Sequence, residues 1–499
     1  MGFPLLSSLI WLPILGAVTL LFFGNKYSVH ITKWFALSLS ILIFGLSLVL
    51  YNNFDITTAN MQFVEHYNWI EFLGISYYLG IDGISMPLVV LTTFTHILIV
   101  LAAWRLIKTN VVEYYAIFLL LQAAVIGVFC ALDAILFYIF WEAMLIPMYL
   151  CIGIWGSGKR SYAAIKFFLY TFFGSTLLLI ALLYLGFKVG SFNILSFYNL
   201  SLSFKEQILI FIAFFLAFAV KVPMWPMHTW LPDAHTEAPA GGSVILAALM
   251  LKVGAYGFFR FCLPVVPLAS SYFAPAMIGL SLFAIVYIGF IALAQTDMKR
   301  LIAYSSVAHM GFVTLGLFAI YKIAAADVLY ATMAVEGAMV QMISHAFGSG
   351  AMFLAFGIIY DKLHTRAIAD FGGVATKMPY FAAFFMIFAL SNIGLPGTAG
   401  FVGEFLVIVG VFKASFWLSF FAAITLIVSA SYTLWMYKRV FYGATSFIVE
   451  EKCDNDVSSY DRIALWLLVA VIFTIGLYPQ LLLRPMHATI TNLVKTAII

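Results

Sequence analysis

Six titratable side chains stand where the surrounding sequence is apolar. Glu142 lies within ILFYIFWEAMLIPMYL, Lys252 within SVILAALMLKVGAYGFF and Glu404 within GFVGEFLVIVG. Lys221 closes the run IAFFLAFAV, while His309 and His345 sit in AYSSVAHMGFV and VQMISHAFGSG. A charge in hydrocarbon costs about 2.5–3.5 kcal/mol on insertion scales, so such groups persist where they pair or face a polar path. Apolar surroundings make a lysine give up its proton readily, and a nearby carboxylate holds it in place. Histidine changes charge near neutral pH and can hand a proton on. Together these types can take up, relay and release protons. Each also has a structural reading. Glu142 can bond a neighbouring helix, Lys221 can snorkel, Glu404 can cap a helix N-terminus, and each histidine can be a bonded packing residue. Lys252 lies about ten residues into its run, or about 15 Å at 1.5 Å per residue. That is too deep for easy snorkelling.

The elements that hold these residues must be membrane helices. The chain has 499 residues, 64% of them hydrophobic and 9% charged, with a mean hydropathy of +1.07. Polar groups that scarce cannot cover a soluble surface, so the bilayer is the expected solvent. A span needs about 20 apolar residues. About fourteen runs qualify: 4–23, 32–50, 84–104, 112–130, 132–154, 163–187, 207–227, 243–262, 273–294, 301–320, 338–360, 380–412, 415–437 and 462–482. The first run has no basic stretch before it and no small-residue cleavage site, so it reads as a retained span. The fold expected is an all-α polytopic membrane protein.

Basic residues recur in alternate loops: Lys26 and Lys33, Arg105 and Lys108, Lys159, Arg160 and Lys166, Lys299 and Arg300, Lys362, Arg366 and Lys377, then Lys438, Arg439, Lys452 and Arg462. The stretch 51–82 has no Lys or Arg and carries Asp55, Glu65, Glu71 and Asp82. By the positive-inside rule the basic loops are cytoplasmic and both termini lie on the outer, periplasmic side.

Two segments break the helix rules. KVPMWPMHTWLPDAHTEAP at 221–239 is dense in proline, and SNIGLPGTAGFVGEF at 391–405 interrupts a run too long for one span. They fall in the seventh and twelfth runs, five helices apart. An odd number of helices puts two five-helix units in opposite orientations, and paired broken helices point to an inverted repeat with a site at the midplane. The expected organisation is three N-terminal helices over 1–111, a first repeat over 112–262 and a second over 263–440. A last helix and tail then occupy 441–499.

Other chemistry is excluded or weak. A net charge of +4 argues against nucleic acid. Cys130, Cys151, Cys262 and Cys453 fit no zinc or iron–sulfur spacing, and no metal site is expected. His228, Asp233, His235 and Glu237 crowd the first break without a ligand spacing, and read as a wet loop at the cytoplasmic mouth. Asp133 and Glu113 stand near span ends, where charge is cheap. GIWGSGKR at 153–160 lacks the phosphate-loop pattern and follows no strand, so it reads as a basic turn. With no dinucleotide fingerprint, the chain is expected to bind no NADH.

LGIDGISMPLVVLTT at 79–93, FWEAMLIPMYL at 140–150, LIAYSSVAHMGF at 301–312 and the two break motifs closely resemble the antiporter-like subunits of respiratory complex I, above all the subunit M or chain 4 family. The resemblance covers nearly the whole chain. It implies fourteen helices, two inverted five-helix repeats with broken helices 7 and 12, and a proton path along a central polar axis. It assigns that path to Glu142, Lys221, Lys252, His309, His345 and Glu404. Under this resemblance glutamate at 404 is the mark of subunit M, since the sister subunits L and N carry lysine there, and the long lateral helix of subunit L is not expected here. The function implied is proton translocation as a redox-inert subunit of an NADH:quinone oxidoreductase in a bacterial inner membrane, beside subunits L and N. NADH, FMN, iron–sulfur clusters and quinone then belong to the complex. The alternatives are an Mrp-type cation/proton antiporter subunit or a membrane subunit of a hydrogenase or formate-linked complex.

Overall fold

A chain in hydrocarbon must satisfy its backbone polar groups internally, and a helix does so within one segment. The computed structural model describes residues 3–26, 28–324, 327–453 and 455–498. Among these, twelve helices are long and apolar enough to cross a membrane. Two further paths are interrupted helices: Phe204–Lys221 with Trp230–Glu237, and Pro379–Ile393 with Ala399–Phe412. The all-α polytopic class is as the sequence predicts.

The helices divide by what covers them. Ser85–Leu106, Val111–Cys130, Ala240–Val265, Met298–Phe318 and Val328–Leu363 are buried almost throughout. Leu5–Phe23, Val29–Asn52, Arg160–Val189, Phe416–Phe441 and Ser459–Leu477 turn large apolar side chains outward, among them Phe22, Phe173, Ile427 and Trp466. Val328–Leu363 is the axial element. Its 36 residues span about 54 Å at 1.5 Å each, well beyond a hydrocarbon core of about 30 Å. It packs against both interrupted regions and carries His345.

Both breaks are satisfied locally. Past Lys221 the backbone turns over Val222–Pro226, and Trp230 Nε1 donates to the freed Val220 carbonyl at 2.8 Å. Pro379–Ile393 ends on Gly394 at φ +82°, a left-handed position that favours glycine. Leu395 N–H there closes back on Leu390 O at 3.0 Å. A third interruption is milder. The helix around Glu142 breaks at Met144, because Pro147 has no N–H to offer the Ala143 carbonyl.

Two elements differ from the sequence reading. The stretch read as an acidic loop over 51–82 holds an antiparallel hairpin, Gln62–Ile70 with Ile75–Ile81. Glu65 reaches from it to the N–H groups of Leu6 and Ser7, at 2.8 and 3.1 Å, where a helix N-terminus favours negative charge. Asp133 ties the second strand to the next helix start, accepting from Ser76, Ile135 and Leu136 at 2.9–3.0 Å. The segment read as a tail forms an amphipathic helix, Gln480–Ala497. It buries Met486, Ile490, Leu493 and Val494 and leaves His487 exposed. With Arg484, His487, Asn492 and Lys495 along it, the segment is too polar to read as a span.

Candidate functional site

Lys252 sits just past a wide turn of helix, Leu246–Met250, with π-type hydrogen bonding. Such a turn shifts the backbone ladder, and Lys252 Nζ donates to the Ala247 carbonyl at 2.6 Å. Nζ also lies 2.7 Å from Nδ1 of His345. On Val328–Leu363, the His345 ring stands 6.0 Å from the ring of His309 on Met298–Phe318. His309 Nδ1 is 2.6 Å from Glu404 Oε1, which also accepts from Gln341 Nε2 at 3.0 Å. The Tyr432 hydroxyl lies 3.2 Å from His309 Nε2. All four titratable groups are 5% exposed or less. Glu404 therefore does not cap its helix: it stands in the second turn after Thr398 and engages a histidine.

Close glycine contacts make this approach possible. A Cβ on Gly403 would fall 2.6 Å from the backbone of Gln341, and one on Gly400 would fall 2.0 Å from Ser391 O. Where the two histidines face each other there is a cavity of about 10 Å³, lined in part by His309, His345, Ser344, Ser391 and Glu404. That is about the room one water needs. His345 Nε2, Ser344 Oγ, Ser391 Oγ, Gln341 Oε1 and Glu404 Oε2 are all buried without a protein partner. A polar pocket of this kind can complete a hydrogen-bonded link between the rings.

Lys221 and Glu142 form a looser group. Lys221 is 2% exposed, so it does not snorkel. Its Nζ lies 4.3 Å from the centroid of the Trp141 ring and 3.5 Å from the Trp141 carbonyl. Glu142 is half-buried, and its Oε1 has no hydrogen-bond partner. The two charges make no ion pair within 4 Å in this structure. Lys221 is nonetheless packed against the helix of Lys252: a Cβ on Gly254 would meet the Lys221 Cβ at 2.8 Å.

The residues beside the first break are not a wet loop. Trp230–Glu237 is helical and largely buried. His235 is fully buried, stacks on Phe353 at 4.3 Å and has both ring nitrogens unpartnered. Asp233 accepts from Lys166 at 2.7 Å and from Arg300 at 3.2 Å. Glu237 and Asp297 flank Arg366 at 3.7 and 3.5 Å. A helix explains this: Pro232 sits in its first turn, where no N–H is missed, and the other prolines flank it. Above it opens a cavity of about 370 Å³ lined by Glu237, Lys299, Arg366 and Tyr114. Lys299 is 5% exposed and donates to Ala238 O at 2.5 Å.

Sequence reasoning missed Gln341, Tyr432, Ser344 and Ser391, neutral groups that carry no insertion penalty large enough to stand out. It also missed the buried ion pair of Arg260 with Asp82, which Ser85 and Tyr256 complete. Among the described residues, no group of three His, Cys, Asp or Glu side chains is placed to hold a metal ion.

Residues 131–429 match the family described as NADH:quinone oxidoreductase/Mrp antiporter, TM. Residues 32–131 match the amino terminus of NADH-ubiquinone oxidoreductase chain 4. The chain is 47% identical over 478 residues to NADH-quinone oxidoreductase subunit M of Rhodobacter capsulatus, covering 93% of this chain and 90% of that one. It is 43% identical to the subunit M of Rickettsia prowazekii, with 98% of each covered. Among solved structures, a chain of respiratory complex I from Thermus thermophilus superposes with a TM-score of 0.88 at 27% identity, over 99% of both chains. A chain of the Mrp complex from Dietzia shares the fold alone, with a TM-score of 0.81 at 20% identity. That likeness covers 97% of this chain and 52% of that one.

Proposed function

The chain belongs to the NADH:quinone oxidoreductase/Mrp antiporter family of membrane subunits, on its chain 4 branch, and from that premise we propose that its central row of buried ionisable groups carries protons across the bilayer. The observation that carries the reading is the row Lys252–His345–His309–Glu404, closed by direct contacts at both ends and by a one-water cavity in the middle. Protonated Lys252 passes a proton to His345 Nδ1. His345 releases one from Nε2 through the cavity to His309, and His309 delivers it to Glu404. Lys221 recharges Lys252, and the arrival or departure of Glu142 beside Lys221 sets when it does so. A counter-charge worth about two pKa units, at 1.36 kcal/mol each, is of the same scale as the cost of moving one charge against 100 mV, about 2.3 kcal/mol.

In this reading the chain crosses the membrane fourteen times. The helices of 112–262 and 263–440 form two inverted units, 1–111 supplies three helices before them, and 441–499 one after. The basic loops face the cytoplasm and both termini the outer side of a bacterial cytoplasmic membrane. The cavity over Lys299 opens among those basic loops and is the natural entrance. Subunits L and N are the neighbours. NADH, FMN, iron–sulfur clusters and quinone are handled by other subunits, whose redox work reaches this chain as a change of charge near Glu142. The test is a Lys221→Ala enzyme assayed for NADH oxidation and proton pumping together. Pumping per electron should fall well below the wild-type ratio, and an unchanged ratio rejects the relay.

A further inference from the structure

The Phe416–Phe441 helix presents two faces with different company. Tyr432 points inward to His309. On its outer side a groove of about 770 Å³ is lined by Leu293, Leu426, Ile427, Leu434, Trp435 and Lys438. The rise from Ile427 to Lys438 is about 16 Å at 1.5 Å per residue, close to half of a hydrocarbon core of about 30 Å. An apolar channel one leaflet long therefore ends at a tryptophan, the residue enriched at the head-group level.

Two cations close that end. Lys438 Nζ lies 5.7 Å and the Arg439 guanidinium 5.4 Å from the centroid of the Trp435 ring. Six other cations of the basic loops, Arg105, Lys108, Lys166, Arg300, Arg366 and Lys377, reach a carboxylate, and Lys33, Arg160, Lys299 and Lys362 donate to backbone carbonyls. Lys438 and Arg439 reach no carboxylate among the described residues, and Arg439 Nε is buried with no acceptor. A buried guanidinium N–H without an acceptor is costly, and paired cations at a membrane surface attract anionic head groups.

We propose that this groove binds one anionic phospholipid of the leaflet on the basic side. Its phosphate meets Lys438 and Arg439, and one acyl chain lies along Ile427 and Leu434. The lipid backs the helix whose opposite face holds Tyr432 against His309. The site itself does not depend on the proton reading; only that consequence does.

The test uses the intact detergent-solubilised complex containing this chain. Phosphatidylglycerol bearing a photoactivatable group in one acyl chain is added, irradiated, and the labelled peptides mapped; a phosphatidylcholine probe with the same group runs in parallel. The phosphatidylglycerol label should concentrate on the peptide spanning 426–438, several-fold above phosphatidylcholine. A Lys438→Gln/Arg439→Gln variant should bring it down to the phosphatidylcholine level. Ala430 also lines the groove, and Ala430→Trp, which fills it and leaves both cations, should remove the label too. Inorganic phosphate in large excess should not compete. Equal labelling by the two lipids, or labelling unchanged in the variants, overturns the site. So does an unlabelled peptide in the assembled complex, which would mean that a neighbouring protein covers the groove. Labelling is read without proton pumping, so its failure is distinct from failure of the relay.

Discussion

Where the Phe204–Lys221 helix stops, its final residue is a lysine; where Pro379–Ile393 stops, the charge is a glutamate in the second turn of the helix that follows. The lysine's placement suits the helix dipole, a cation at a C-terminus, while Glu404 stands past the first turn, where that effect has faded. The surroundings differ. Lys221 has a tryptophan ring for company, with Glu142 near but out of ion-pair reach. Glu404 is clamped by His309 and Gln341 at 2.6 and 3.0 Å. One backbone device thus holds separable charges in the first region and a closed hydrogen-bonded chain in the second. A separable pair can respond to a charge arriving from outside, while a closed chain can only accept what is handed to it. In the proposed relay, coupling therefore falls to the first break and the delivered proton to the second.

The sharpest way to break that comparison is to cut between the regions. Lys252→Met keeps length and apolar bulk but removes the group that links Lys221's helix to His345. NADH-driven pumping should fall about tenfold or more, the consequence of at least about 1.4 kcal/mol added to the slowest transfer. Retained pumping would mean the two regions do not communicate through this lysine. Glu404→Gln and Glu142→Gln then weigh the regions against each other. Each carboxylate has one unpartnered oxygen, but Glu404 Oε1 has two partners to lose while Glu142 makes no ion pair with Lys221, so Glu404→Gln should cost more pumping per NADH oxidised. The reverse order would place the committed charge at the first break.

Packing gives a control in which the two regions should behave alike. Gly403 and Gly254 both stand where a Cβ would meet backbone or a neighbouring Cβ, at 2.6 and 2.8 Å. Each alanine should destabilise the folded chain by about 1–3 kcal/mol, the usual cost of overpacking, read as a lower melting temperature of the extracted complex. A change at one site alone would show that only one break is held by close helix contact.

The charged members of the site were legible because burial of charge is expensive, and an apolar run around Glu142, Lys252 or Glu404 advertises that expense. The breaks were legible because Pro and Gly interrupt the helix ladder at 221–239 and 391–405. Pairing was not legible. Nothing in one sequence says that His309 meets Glu404 while Lys221 faces Trp141 and not Glu142. Buried Lys299 and His235 were read as loop residues because they lie beside basic or proline-rich stretches, and only the packing of Trp230–Glu237 puts His235 inside. The hairpin over 62–81 escaped because its exposed strand alternates weakly, with Glu65, His66 and Asn68 among its residues.

Tyr432 offers the finest test, because it touches the closed region without carrying its charge. Its hydroxyl lies 3.2 Å from His309 Nε2, on the side of the ring away from Glu404. Tyr432→Phe removes the hydroxyl that meets His309 Nε2 and that Ser305 and Asn392 also approach, and leaves the ring packing of the fully buried side chain in place. A hydrogen bond of this kind is worth about 1 kcal/mol, or about fivefold in a rate it controls. If that bond fixes which nitrogen of His309 faces the cavity, pumping should slow by about that factor while NADH oxidation with an uncoupler stays at the wild-type rate. If both fall together, the tyrosine serves assembly, and the closed region is held by Glu404 and Gln341 alone.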